Sequence, residues 1–191
     1  MNNFEELLGK HDLNNKISLD DIPNIDLYMD QVIQLFDNKF NKSDTDEKIL
    51  TKTMINNYAK AKLLFPIKNK KYTKKHIILM SFIYQLKGAL SIKDIKDTLN
   101  TLNKKITEEN YDLDRLYEGY LKLQELNTEK FKADLTLDIE EVSKLVDKED
   151  EKDVQYLEKV LLISSLVNRS NMYRNAAENL VKLIEEDQIK S

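Results

Sequence analysis

Three observations predict an all-α fold. Only three Gly and two Pro occur in 191 residues, so helices can run long and hairpins have little to turn on. Apolar residues recur at spacings of three and four along most of the chain. Hydrophobic residues make up 41%, enough to build a core in one domain or two small ones.

Residues 1–21 are polar and weakly patterned and read as a mobile arm, with a short helix expected at Phe4–Leu8. Asn24 is placed to cap a first helix, whose stripe is Ile25, Tyr28, Val32, Phe36 and Phe40, widened by Met29, Ile33 and Leu35. Asn41–Glu47 reads as a loop. Thr51–Lys62 forms a second helix on Met54, Ile55, Tyr58 and Ala61, stopped by Pro66. Ile67–Tyr72 is a turn or abbreviated hairpin. Thr73 caps a third helix built on Ile77, Ile78, Phe82, Ile83 and Leu86, with Gly88 as its left-handed terminal residue. Ser91-Ile92-Lys93-Asp94 has the pattern of a capping box, opening a fourth helix on Ile92, Ile95, Leu99 and Leu102.

Three further helices are expected in the acidic second half. Thr107–Leu126 turns Leu113, Leu116, Tyr117, Tyr120 and Leu123 inward, and Thr128–Val146 turns Phe131, Leu135, Ile139, Val142 and Leu145 inward. After a charged connector at Asp147–Asp153, Val154–Asp187 carries Leu157, Leu161, Met172, Ala176, Leu180 and Ile184 in step. Val160–Val167 is apolar nearly all round, which predicts burial on several sides; a plain core fits it better than the border of a ligand cavity. The expected organisation is an arm at 1–21, a module at 22–103 and an acidic helical domain at 104–191.

Charge is distributed unevenly. Residues 48–93 hold eleven lysines and no Asp or Glu, where the chain average would place about eight acids. The other 145 residues carry 19 basic against 34 acidic groups. This pattern describes a basic contact surface on an acidic scaffold. On a helix from Thr51 to Lys62, Lys52, Asn56 and Lys60 share one edge, and Thr53 and Asn57 lie beside them. Solvated helix faces ordinarily mix Glu with Lys at i,i+4, and this face has no carboxylate. Lysines neutralise phosphates, and Asn can bond both edge atoms of an adenine in the major groove. Lys68, Lys70 and Lys71 crowd the following turn with Tyr72, whose ring fits either a contact or the core. Lys74 and Lys75 stand at a helix start, where positive charge opposes folding and suggests a neighbouring anion. The expected contact set is Thr51, Lys52, Thr53, Asn56, Asn57, Lys60, Lys68, Lys70, Lys71, Tyr72, Lys74 and Lys75.

Thr53–Lys96 resembles the DNA-binding module of MerR-type regulators. In that family a recognition helix leads through a "YY…GLL.P" element to a wing, then to a Tyr-bearing helix start and a helix opened by "G-hydrophobic-S-hydrophobic-x-E-I". This chain has NNYAKAKLLFP and then KKYTKKHIILMSFIYQLKGALSIKDIK, matching in order and much of the spacing over about 45 residues. It departs in having Lys62 for the usual Gly, Asn56 for the usual Arg, a shorter wing and a longer connection at Asn41–Leu50. IPNIDLYMDQV, LTKTMINNYAKAKLL and KKYTKKHIILM resemble, more closely, a bacterial family known only as domain of unknown function 1836. The resemblance implies a MerR-like helix-turn-helix with an abbreviated wing, packed on a C-terminal helical bundle, and a regulatory role.

Other classes have less support. Cysteine is absent, which removes disulfides and thiolate chemistry and fits a reducing, cytoplasmic setting. The N-terminus MNNFEELLGKHDL lacks the features of a signal peptide, and no run approaches the ~18 apolar residues of a membrane span. His11 falls in the arm and His76 in the basic surface, so neither suggests a metal site. Glu140-Glu141 and Glu185-Glu186-Asp187 read as solvated faces. No phosphate loop, nucleophile elbow or catalytic triad pattern occurs, so neither an enzyme nor a cofactor is expected. The leading expectation is a transcriptional regulator that binds double-stranded DNA as a homodimer paired through its C-terminal helices, any small-molecule effector being unknown. The alternative is an adaptor whose basic face docks an acidic protein.

Overall fold

The computed structural model of the protein describes residues 15–40, 49–109, 111–146 and 153–190. The helix expected at Phe4–Leu8, His11, the 41–47 loop and nearly all of the 147–153 connector lie outside them. The described residues are mostly helical, with one two-stranded sheet. In chain order the elements are β1 (Leu27–Tyr28), α1 (Met29–Phe40), α2 (Lys52–Lys60), β2 (Lys71–Tyr72), α3 (Lys74–Leu86), α4 (Ile92–Glu108), α5 (Leu113–Leu145) and α6 (Val154–Lys190). The chain divides into two compact units between Leu123 and Gln124, within α5. Among the described residues no helix is long and apolar enough to cross a membrane.

In the first unit α3 is the central element. Ile77, Ile78, Leu79, Met80 and Ile83 are all buried, so this helix is apolar on most of its circumference. Phe36 and Phe40 of α1 meet its Tyr84 with ring centroids 6.3 and 4.6 Å apart. Tyr117 and Tyr120 of α5 meet its Phe82 at 5.6 and 4.8 Å. Burying such rings contributes about 2 kcal/mol each. The Tyr117 hydroxyl also donates to the carbonyl of Ile17 at 2.7 Å, and Ile17 is fully buried. Residues 15–21, expected as the end of a free arm, are therefore packed against this core.

The first helix begins at Met29, five residues beyond the expected Asn24 cap. A long-range pairing overrides the local periodicity: Leu27 lies opposite Tyr72, and Tyr28 opposite Lys71, in an antiparallel ladder. Ile25, predicted inward, is exposed. The Tyr28 N–H is taken by the Gln31 side chain at 2.8 Å, which opens α1.

α2 starts as predicted, the Thr51 hydroxyl accepting from the Met54 N–H at 3.1 Å. Its end depends on Lys62 rather than on Pro66. Lys62 has φ 60°, its N–H reaches the Ala59 carbonyl at 3.1 Å, and the Leu63 N–H reaches the Tyr58 carbonyl at 3.0 Å. That pair of bonds is a Schellman motif, and the buried Leu63 and Tyr58 supply its apolar contact. A lysine here occupies a backbone region that favours Gly. Gly88, expected to be left-handed, is not: among the described residues positive φ is confined to Lys62, Asn69 and Lys70.

Ser91 and Asp94 form the capping box that opens α4, and Ile95, Leu99 and Ile106 are its buried stripe; Ile92 is exposed. Thr107 lies inside α4 and bonds back to the carbonyls of Asn103 and Lys104, both at 3.0 Å. Asp112 begins the next helix instead, accepting from the Arg115 N–H. α5 then runs unbroken through the expected joint, because Thr128 satisfies its hydroxyl on the Gln124 carbonyl and does not act as a cap.

The second unit contains the rest of α5 and α6. Leu135, Val142, Val146, Leu162 and Val181 are buried, and Arg169 reaches the buried Asp138 at 2.6 Å. The inward register expected for α6 is overturned, since Leu161, Met172 and Leu180 are exposed. Val160–Val167 is covered only in part, with Leu162 buried while Ile163 and Val167 face out. Leu116 and Leu123 on α5, and Phe131 and Leu145 farther along it, are likewise exposed rather than inward.

Two outcomes follow for stability. Tyr117→Phe leaves the Ile17 carbonyl without its donor and should cost about 1–3 kcal/mol in urea unfolding. Lys62→Gly relieves the left-handed backbone and should raise stability by about 1 kcal/mol, read as a higher urea midpoint at unchanged slope.

Candidate nucleic-acid interface

α2 is held by its inner side and left open on its outer one. Ile55 and Tyr58 are buried, while Lys52, Thr53, Asn56, Asn57 and Lys60 are exposed. The cap uses the Thr51 hydroxyl, so Thr51 serves the helix before any ligand. Among the described residues one carboxylate reaches this face: Asp30, in the first turn of α1, lies 2.7 Å from the Lys52 ammonium. Both groups are well exposed, so the pair contributes at most a few tenths of a kcal/mol and yields readily to a competing anion.

After α2 the chain takes the abbreviated hairpin that its sequence allows. Asn69 and Lys70 have φ 53° and 59°, and the Lys71 N–H donates to the Lys68 carbonyl at 3.0 Å. Two successive left-handed residues define a type I′ hairpin turn. Lys68, Asn69 and Lys70 are exposed on it. Lys71 is half-buried, its ammonium 5.4 Å from the centre of the Tyr28 ring. Among the described residues no carboxylate pairs with Lys60, Lys62, Lys68 or Lys70. Lys62, left out of the expected contact set, joins it by exposure; its left-handed backbone had no signal beyond standing where a Gly was expected.

Three expected contacts have internal roles instead. Tyr72 is only 3% exposed, because β1 pairing carries its ring into the core. Lys74 forms an ion pair with Asp114 at 2.7 Å, and Lys75 donates to the Tyr111 carbonyl at 3.2 Å. The anion that the lysine-rich helix start called for is thus a carboxylate of α5.

His76 is likewise not a surface residue. It is 1% exposed, stacked on Phe65 at 3.7 Å between centroids, with Tyr72 edge-on at 5.9 Å. The Thr73 N–H donates to Nδ1 at 3.1 Å, the Thr73 hydroxyl lies 2.9 Å from the same atom, and Nε2 faces the Phe65 carbonyl at 3.2 Å. An acceptor at Nδ1 and a donor at Nε2 describe a neutral imidazole. Burial pushes its pKa down to about 4, against the opposing pull of the Phe65 carbonyl and the Asp26 carboxylate. Nearby, Asn103 of α4 donates to the Leu63 carbonyl at 3.0 Å. Both ends of the segment leaving α2 are therefore tied to helices behind it. Among the described residues no group of three or more His, Cys, Asp or Glu gathers as a metal site would require.

The family described as a domain of unknown function, DUF1836, matches residues 17–120, more than half of the chain. No curated protein and no solved structure matches it.

The matched span includes His76, and its titration is open to measurement. The unfolded chain takes up this proton near pH 6.5 and the folded chain near 4, so stability should fall as pH drops through that window, by about 3 kcal/mol at its lower end. His76→Gln keeps one acceptor and one donor and removes the titration. The difference between the two proteins in urea unfolding should therefore narrow steadily from pH 7 to pH 4.

Proposed function

The chain belongs to the DUF1836 family, and from that premise and the α2 face we propose that it is a sequence-specific DNA-binding regulator with a MerR-like helix-turn-helix. In this reading α2 enters the major groove, and the 68–71 turn acts as a shortened wing on the flanking phosphates. The observation that supports it most is the exposed row of Lys52, Thr53, Asn56, Asn57 and Lys60 on a helix that contributes no carboxylate. Asn56 and Asn57 are the base readers, because an amide can serve adenine N6 and N7 together. Lys52, Lys60, Lys62, Lys68 and Lys70 supply the phosphate contacts. Asp30 exchanges Lys52 to the backbone on binding.

About five phosphate contacts per protomer set the expected salt response. Affinity for an AT-containing duplex should fall several hundredfold, on the order of 10²–10³, between ~50 and ~200 mM salt. Lys70→Glu should weaken binding to all sequences and lower the salt slope by about one, whereas Asn56→Ala should flatten sequence preference at about 1–3 kcal/mol per position. Fluorescence anisotropy on a randomised duplex series measures both. A salt-sensitive partner that is an acidic protein would respond to Lys70→Glu and not to Asn56→Ala. No duplex binding at ~50 mM salt would overturn the proposal.

A further inference from the structure

α2 has no acid of its own, yet Asp30 of α1 places a carboxylate against its outer row. The Asp30 Oδ1 lies 2.7 Å from the Lys52 ammonium, and the Lys52 and Asp30 side chains are 64% and 75% exposed. An ion pair this open adds almost nothing to folding, because water screens it and both side chains give up rotamer freedom to hold it. Its position is nevertheless fixed by the chain around it. Asp30 follows β1, whose Tyr28 lies opposite Lys71 and gives its N–H to the Gln31 side chain at 2.8 Å. Asp30 therefore joins the two basic stretches: its segment pairs with the strand that leaves the 68–71 turn, and its side chain meets the first residue of α2.

A carboxylate at this place opposes any polyanion. Two like charges about 6 Å apart in water shift an equilibrium by about threefold, and by more where a groove excludes water. In the free protein the Lys52 ammonium offsets that charge. When the ammonium moves to a phosphate, the carboxylate can only accept, and it needs a donor. The phosphates of DNA offer none. In the major groove the donors are the amino groups on cytosine N4 and adenine N6. Lys52 opens α2, and the opening residues of a recognition helix are the ones nearest the base edges. A carboxylate paired with that residue is set beside them.

We propose that Asp30 is a specificity-determining residue of this interface: it disfavours duplex in general and is offset where a base turns its amino group toward it. The inference rests on the DNA-binding reading above and adds a selective step that the other contacts do not supply. The lysines favour every sequence alike. An unmatched amide on Asn56 or Asn57 can bond water, whereas an unmatched carboxylate among phosphates is repelled, and discrimination gains from such a repulsive element. Cytosine is the expected partner, because its N4 amine is the one polar group it presents in the major groove, while adenine sets its N7 acceptor beside N6.

The full chain is tested by selection from a randomised duplex pool at ~50 mM salt, then by fluorescence anisotropy on the selected duplex and on an unrelated one. Asp30→Ala should bind the unrelated duplex about three- to tenfold more tightly than the parent does. It should also lose the preference for an amino base at one selected position, so that the ratio of the two affinities falls about tenfold or more. Asp30→Asn removes the charge and keeps an acceptor; it should gain on the unrelated duplex as Asp30→Ala does and retain part of the preference. Asp30→Glu keeps the charge and should bind the unrelated duplex as the parent does. Urea unfolding checks that each variant folds. An Asp30→Ala protein that binds the unrelated duplex no better than the parent, or that keeps the parent's preference at every selected position, would overturn this proposal alone. A parent that binds no duplex would overturn the regulatory reading, and this one with it.

Discussion

The geometry of the basic surface depends on one buried, neutral imidazole. His76 accepts from the N-cap of α3, faces the carbonyl of Phe65 on the segment leaving α2, and packs between the rings of Phe65 and Tyr72. It therefore joins the end of α2, the strand β2 and the start of α3. Each partner uses a different part of the ring, and only the neutral form serves all of them: a proton on Nδ1 would set two donors against each other. α2 itself buries little, with Ile55 and Tyr58 on its inner side. Its placement comes from what fixes its two ends, the Thr51 cap at one and the Lys62–Phe65 segment at the other.

Seen this way, the lysines of the basic block sort by role. Lys74 and Lys75 belong to the scaffold, where they join the start of α3 to Tyr111 and Asp114. Lys71 rests beside Tyr28 on the two-stranded sheet. Lys60, Lys62, Lys68 and Lys70 remain in water on two neighbouring stretches, and Lys52 shares its charge with Asp30. Keeping acids out of residues 48–93 thus has two results. It leaves the outer row of α2 without an acid of its own, and it makes the scaffold lysines find their partners in other elements. The left-handed residues fall in the same region. Lys62, Asn69 and Lys70 each cost some backbone free energy, and all three lie where the chain must reverse between α2 and β2.

What could be read from the sequence was local. Thr73 and Ser91 were identifiable as caps because each lies just ahead of an apolar repeat, and Ile55, Tyr58, Ile77, Ile78, Ile95 and Leu99 were identifiable as core by their spacing. The exposed row of α2 followed from the same periodicity, so most of the candidate site was visible. What could not be read depended on partners distant in sequence. Only the pairing of Leu27 with Tyr72 delays α1 and buries Tyr72. Only Asp114 and Tyr111 show that Lys74 and Lys75 are already engaged. His76 looked like part of a basic surface because its neighbours are lysines, while its burial is set by Phe65, eleven residues away. Thr107 and Thr128 had the composition of caps and the position of interior residues, a choice that hydroxyl back-bonding settles without leaving a mark in the sequence.

The misreading of α6 has a different origin. Periodicity reports that a side of a helix is apolar and not which body covers it. Along most of the first unit the two questions have one answer, because α3 offers enough surface for α1 and α5 to cover. In α6 they separate: one stripe turns toward Asp138 of α5, and the other is open. The same logic applies to α2 with the sign of the chemistry reversed. There the outer row is polar and carries no acid of its own, so its character is basic where that of the α6 stripe is apolar. Each exposed face thus has one dominant character, basic on α2 and apolar on α6, and the spacing of residues along each helix records that character without recording what lies against it.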